Sequence, residues 1–309
     1  MTLGVASAIG ASAIGASAIE VVAAATSPGA AATGEALTLW QALVLGLVEG
    51  ITEFLPVSST GHLIVAQRLL GLGEGQANNV FAIGIQMGAI TAVLVLYWRR
   101  LLAAAGTCLR PRAGEANLLW QIAIAAFPAA LLGLLADDWI DAHLFSSSVV
   151  ATTMIVGGGL LLWLERWQRS RRDGTEGREL AQAGYGTAFV IGLFQCLALV
   201  PGTSRSAATI AGALLLGLSR TAAAEFSFLV GLPILYGASL YKLAKHREAL
   251  AGDALQPFLI GSGVAFVSAW LVVQPFVAYL RRHSFAPFAW YRLGAGALLA
   301  IAIAAGWMS

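Results

Sequence analysis

Apolar residues run nearly unbroken through six stretches of the chain, 79–98, 118–136, 147–165, 221–243, 256–280 and 287–308. A helix crossing the hydrocarbon core of a bilayer needs about 20 mostly apolar residues, so each stretch predicts a spanning helix. Two further apolar regions, 40–72 and 184–218, carry a different pattern, because proline and a polar cluster, LPVSST and VPGTSRS, interrupt each one in the middle. The halves on either side are too short to cross. Irregular backbone at membrane depth is tolerated only where protein or a water-filled cavity surrounds it, so both regions predict re-entrant helix pairs.

Sliding the sequence by 146 positions, so that 58 falls on 204, lays LGLVEGITEFLPVSSTGHLIVAQRLLGL (45–72) on IGLFQCLALVPGTSRSAATIAGALLLGL (191–218) without a gap. Identities then include Gly46/Gly192, Leu47/Leu193, Ser58/Ser204, Ile64/Ile210, Leu70/Leu216, Gly71/Gly217 and Leu72/Leu218. Three spans follow each region, and an odd number of crossings per repeat turns the second copy upside down. The expected fold is an all-α integral membrane protein built as an inverted-topology repeat, with six spanning helices and two re-entrant helix pairs. Repeat one covers about 40–166 and repeat two about 184–308, within a single transmembrane domain of residues 36–309.

Composition agrees with this pattern. Of 309 residues, 58% are hydrophobic and 11% charged, and the mean hydropathy is +0.79, more apolar surface than a water-soluble globule hides. A net charge of +2 is too small to argue for nucleic acid. Position matters more than the sum. If both broken pairs return to the side they entered from, one face collects Arg99, Arg100, Arg110, Arg112, Arg166, Arg169, Arg171, Arg172, Arg178, Arg220, Arg281 and Arg282. The other collects Lys242, Lys245 and Arg247. The arginine-rich face is expected to be cytoplasmic, so that 40–72 dips in from outside, 184–218 from the cytoplasm, and both termini lie outside. Trp98, Trp120, Trp163 and Trp167 fit an interfacial belt, and Asp137, Asp138 and Asp141 read as solvated residues of an outer loop. Cys108 and Cys196 form no framework and read as inert. Residues 1–35, with the repeat ASAIGASAIGASAIE, lack a basic n-region and read as a low-complexity extension.

Chemistry concentrates at the two interruptions. In EGITEFLPVSSTGHLIV (49–65), Glu49 and Glu53 stack on one helix face, where two carboxylates in apolar surroundings require a divalent cation, a shared proton or an arginine. Pro56 ends that half-helix. Ser58, Ser59 and Thr60 open the next, where hydroxyls, free N–H groups and the helix dipole favour an anion. His62, one turn beyond Ser59, exchanges protons near neutral pH. In PGTSRSAAT (201–209), Thr203, Ser204 and Ser206 flank Arg205, a permanent guanidinium suited to bidentate phosphate contact. A structural pairing of Arg205 with Glu49 or Glu53 is the alternative.

These two motifs closely resemble those of the undecaprenyl-pyrophosphate phosphatases, also called bacitracin-resistance proteins. The resemblance runs through IQMGAI, LYWRR, FQCLALVPG, AEFSFL and PFAWYRLGAG and covers roughly residues 38–305. It implies hydrolysis of a polyprenyl diphosphate carrier to its monophosphate on the outer side of the bacterial inner membrane. It also implies dependence on a divalent cation, Mg2+ or Ca2+, and six spans with two re-entrant pairs. The family's acidic motif falls on Glu49 and Glu53, its Ser-Ser-Thr-Gly-His segment on Ser58 to His62, and its Ser-Arg pair on Ser204 and Arg205. Two positions depart from the family's pattern: Ala207 stands where members carry glycine, and Ala82 where they tend to carry an acid.

On this reading Glu49 and Glu53 hold the cation, and Arg205, Ser204, Ser58, Thr60, Thr203 and Ser206 bind the diphosphate. Ser59 is the expected nucleophile, with Glu53 or His62 as its base, and a metal-activated water is the competing attacker. The partners expected are the polyprenyl diphosphate substrate and membrane lipids, with no nucleic acid, and a homodimer stays open. The rival function is secondary transport or flipping of an anionic lipid or solute, since broken helices in inverted repeats are a transporter plan. A type-2 phosphatidic acid phosphatase is set aside because no histidine follows Arg205 until His246.

Overall fold

The computed structural model describes residues 37–73, 75–108, 116–144, 146–170, 177–250 and 252–307. The low-complexity extension, Arg110, Arg112, Arg171 and Arg172 lie outside the described residues, as does the side chain of Asp141.

The described residues form ten α-helices and no sheet, with one isolated backbone bridge, Arg178 to Leu218. Six helices are long and apolar enough to cross a bilayer: α3 (Gln76–Gly106), α4 (Leu118–His143), α5 (Ser147–Ser170), α8 (Arg220–Lys245), α9 (Leu255–Leu280) and α10 (Ala286–Ala304). They fall on the six stretches expected from the apolar pattern, and the chain is a multi-pass membrane protein.

The other four are short. α1 (Leu39–Thr52) starts at a capping box made by Thr38 and Gln41, and its 14 residues span only ~21 Å at 1.5 Å each. After Pro56, α2 (Ser59–Leu69) begins at Ser58. α6 (Tyr185–Gln195) tightens into a 3-10 turn over Cys196–Leu199, and after Pro201 α7 (Arg205–Leu215) begins at Ser204. The two breaks are alike in detail. Ser58 and Ser204 cap their helices through the side chain, at φ 74° and 72°, and are the only non-glycine residues with positive φ among those described. Such a conformation costs about 1–3 kcal/mol and persists where the surroundings enforce it.

Without water in the bilayer, close packing takes over from the hydrophobic effect in joining helices, and small residues mark the joints. α1 lies on α9 and α6 on α4. A Cβ on Gly46 would overlap the Gly261 carbonyl of α9, and one on Gly192 would overlap the Ala125 carbonyl of α4. Gly46 and Gly192 are one of the pairs that the 146-residue shift superposes. Each broken pair therefore meets a long helix from the other half of the chain in the same manner.

Charge sorts to the two ends of the bundle. At one end Arg220 pairs with the buried Glu165 at 2.7 Å, Glu165 also accepts from the Phe285 N–H, and Arg100 pairs with Glu225. At the other, Lys242 and Lys245 reach Asp137 at 2.8 and 2.9 Å, and Lys245 reaches Asp138. The expectation of a solvated loop residue is thus corrected for Asp137, which lies on α4, is largely covered and ties the C-terminal ends of α4 and α8 together; Asp138 pairs with Lys245 but stays exposed. The sequence pattern missed this because the partners stand more than a hundred residues apart.

Candidate active site

The two breaks meet beside a cavity of about 180 Å³, lined by Glu53, Ser59, Thr60, Gln86, Ser204 and Arg205 among its polar residues. Apolar side chains, Ala129, Ala198, Leu199, Ile234 and Leu235, make up much of the rest. Pro128 and Pro233 sit inside α4 and α8 directly before Ala129 and Ile234. Proline removes a helical hydrogen bond and loosens the wall at those points.

Glu53 is the hub. The Ser59 hydroxyl donates to its Oε2 at 2.6 Å, and Arg205 Nη2 donates to its Oε1 at 3.0 Å. Both partners of the ion pair are more than nine-tenths buried. Arg205 is itself held on three sides: Nη1 donates to the Ser227 carbonyl at 2.7 Å, the guanidinium stands 5.9 Å over the Phe54 ring, and it lies flat against Gly231 of α8. A Cβ on Gly231 would approach its Cζ and Nη1 to 2.8 Å. Thr209 buttresses Ser227 at 2.7 Å, and Phe54 packs edge-on against Phe228. Arg205 Nε has no protein partner and remains as a free buried donor.

Glu49, one turn before Glu53 on α1, is fully buried, and neither of its oxygens has a hydrogen-bond partner. It does not line the cavity. An unpaired buried carboxylate is costly and calls for a cation or a proton. Among the described residues no group of three or more His, Cys, Asp or Glu could hold a metal. The donors present still fit a hard cation of the magnesium type. Such an ion takes one or two carboxylates and fills its shell with water and substrate phosphate oxygens.

The remaining expected residues divide. Ser204 lines the cavity, caps Ala207 and meets Ser206 Oγ at 3.0 Å, while Ser206 donates to the Leu55 carbonyl and so bolts the two breaks together. Thr60 lines the cavity; Ser58 is buried and caps Gly61. Thr203 contributes its carbonyl to the buried Arg292. His62 is engaged elsewhere: its ring nitrogens face the Ser58 carbonyl at 2.7 Å and the Tyr291 hydroxyl at 2.6 Å, and its ring stacks on Tyr291. Of the two bases expected for Ser59, only Glu53 touches it.

Sequence reasoning missed Gln195 and Arg292. Gln195 is buried at the cavity with an unpartnered Oε1, and the 146-residue shift places it on Glu49. Applying the repeat column by column would have found it. Arg292 lies inside the last apolar stretch, where an ionisable residue is itself a signal.

The family model described as bacitracin resistance protein BacA matches residues 42–298. The chain is 46% identical over 274 residues to the undecaprenyl-diphosphatase of Verminephrobacter eiseniae, covering 89% of this chain and 98% of that protein. It is 48% identical over 261 residues to undecaprenyl-diphosphatase 1 of Chromobacterium violaceum, covering 84% and 95% of the two chains. With undecaprenyl-diphosphatase 2 of Rhodospirillum rubrum it shares 48% over 263 residues, 85% and 94% of the two chains.

Proposed function

The chain belongs to the bacitracin resistance protein family, and on that premise we propose that it hydrolyses undecaprenyl diphosphate to undecaprenyl phosphate and inorganic phosphate, recycling the lipid carrier of cell-wall synthesis. The observation that carries the reading is the buried contact of Ser59, Glu53 and Arg205 on one cavity wall. Acid, nucleophile and guanidinium within hydrogen-bond reach suit phosphoryl transfer, whereas an anion transporter has no use for an activated hydroxyl.

The diphosphate lies where the two breaks meet, its tail leaving past Ala129, Leu199, Ile234 and Leu235 into lipid. Ser59 Oγ gives its proton to Glu53 and attacks the terminal phosphorus, the bond to the bridging oxygen breaks, and Glu53 passes that proton to the departing lipid monophosphate, which restores its carboxylate. Water then attacks the phosphoserine, Glu53 takes one proton from that water, and the Ser59 oxygen leaves with the proton Glu53 returns. Arg205 follows the charge on the transferring group, which is the position from which a guanidinium contributes most. Glu49 and Glu53 would hold a divalent cation, Mg2+ or Ca2+, which would supply neutralisation of phosphate charge.

The fold is read as an inverted repeat with α1/α2 and α6/α7 re-entrant from opposite sides, supported by the matched serine caps and the matched glycine joints. The arginine-rich end faces the cytoplasm of the inner membrane, and the site opens outward. An impermeant thiol reagent applied to intact spheroplasts should label Glu248→Cys and spare Arg281→Cys; the reverse would overturn the orientation.

The function is tested by phosphate release from undecaprenyl diphosphate in detergent, comparing wild type, Glu53→Gln and Arg205→Ala with and without chelator. Turnover by wild type alone, lost with chelator, is expected. Folded wild-type protein that releases nothing with any divalent cation sinks the reading. Labelled phosphate trapped on Ser59 supports the serine route, and full turnover by Ser59→Ala refutes it.

A further inference from the structure

Arg292, on the second turn of α10, is fully buried and is the largest side chain to be so among the described residues. No carboxylate pairs with it among the described residues; every acceptor it finds is a backbone carbonyl. Nη1 donates to Thr203 at 2.9 Å, and Nη2 to Thr153 at 3.1 Å and Gly202 at 3.2 Å. Longer contacts reach Met154 at 3.4 Å and Pro56 at 3.5 Å. One side chain therefore touches both breaks, at Pro56 and at Gly202 and Thr203, and ties them to α5. Thr153 reinforces the tie by donating its hydroxyl to the Pro201 carbonyl at 2.7 Å.

We infer that Arg292 is a positioning residue for phosphoryl transfer: it draws the carbonyls of the two breaks away from the diphosphate and leaves an unneutralised positive charge behind the site. The inference rests on the phosphatase reading and deepens it. A planar trans peptide aims its C=O and N–H in opposite directions. With the Thr203 carbonyl held by Nη1, the N–H of Ser204 on that same peptide points away from Arg292, and Ser204 lines the cavity. If the carbonyl were free to turn, it would set a negative dipole where anionic oxygens must sit. The charge matters separately. Arg205 spends part of its charge on Glu53, whereas Arg292 has only dipoles around it, so its field reaches the site at low dielectric undiminished by a counter-ion.

Burying such a group without a counter-ion is costly, and the sequence makes room for it specifically. Arg292 lies on Gly157 of α5, where a Cβ would overlap Nη2 and approach Cζ to 3.0 Å. The next residue along α10, in the other direction, is Tyr291, which meets His62 of α2. Consecutive residues of one helix thus grip the second half of the first broken pair and the second break.

The test uses full-length purified protein, with kcat and KM for undecaprenyl diphosphate and, independently of turnover, inorganic pyrophosphate affinity by calorimetry. The variants are Arg292→Lys, Arg292→Met and Gly157→Ala. Arg292→Lys keeps the charge and loses the fork, so its kcat should fall at least about tenfold while pyrophosphate affinity drops less. Arg292→Met should lose pyrophosphate affinity as well. Gly157→Ala retains Arg292 but displaces it, and should lower kcat with the folded fraction intact; it decides the matter if Arg292→Met does not fold. Wild-type kcat and pyrophosphate affinity, per folded molecule, in both Arg292→Lys and Gly157→Ala would reduce Arg292 to a structural pin and overturn the inference. Pyrophosphate binding by wild type without turnover would fell the phosphatase reading alone, and loss of that binding in Arg292→Met would still support the placement. Wild type that turns over but shows no Arg292-dependent change in either measurement leaves the phosphatase reading standing and removes this one.

Discussion

Gly231→Ala changes no polar atom, yet it should disable the site. A Cβ at this position would stand 2.8 Å from Cζ and Nη1 of Arg205 and 2.9 Å from Nη2. Carbon contacts settle at about 3.5–4.0 Å, so the guanidinium must retreat by roughly 0.7–1 Å. The α8 backbone need not move, because the side chain is the softer partner. That retreat carries Arg205 off the Glu53 carboxylate at 3.0 Å and the Ser227 carbonyl at 2.7 Å. Misplacing a catalytic group by about 1 Å costs on the order of 100-fold, or ~2.7 kcal/mol of transition-state stabilisation. Helix propensity acts the other way, since alanine is about 1 kcal/mol better than glycine in a helix interior. The expected result is kcat/KM lowered about 10- to 100-fold in phosphate release, with a thermal midpoint in detergent equal to or above wild type. A folded Gly231→Ala protein with wild-type kcat/KM would refute the claim that Arg205 acts from this place.

Three further outcomes follow from packing and charge. Glu49→Gln removes a buried carboxylate with no protein partner, so in chelator the variant should be more stable than wild type, by about 1–3 kcal/mol, and should need more cation for any remaining activity; equal cation titrations would show that Glu49 does not serve the metal. Gly46→Leu and Gly192→Leu each force a side chain into a carbonyl of the facing helix and should both lower folded yield in detergent severely, whereas Gly159→Leu, with open space beside it, should not. Glu165→Gln leaves Arg220 buried without its charge partner and should cost about 3–5 kcal/mol in thermal stability, with the folded remainder releasing phosphate at the normal rate.

Much of the architecture is legible without coordinates because it depends on local and additive properties. Apolar run length determined the six spans, since a bilayer of fixed thickness sets the number of residues needed. Pro56 and Pro201, each beside a cluster of hydroxyl side chains, marked where the two apolar regions break; proline alone does not, since Pro128 and Pro233 sit inside α4 and α8. Glu53, Ser59 and Arg205 were legible as chemistry for the same reason: charge at membrane depth is expensive wherever it is placed.

What only the tertiary structure decided is pairing. Both Glu53 and His62 stood within reach of Ser59 along the chain, and the fold gave Ser59 to Glu53 by turning His62 toward Tyr291, 229 residues away. Asp137 looked solvated until α8 brought Lys242 and Lys245 beside it. Arg292 carried no motif, and its importance lies in carbonyls that any sequence supplies at every residue. Hydrogen bonds to backbone leave no trace in residue identity, and contacts across a hundred residues or more depend on how helices cross, so these assignments belong to the folded molecule alone.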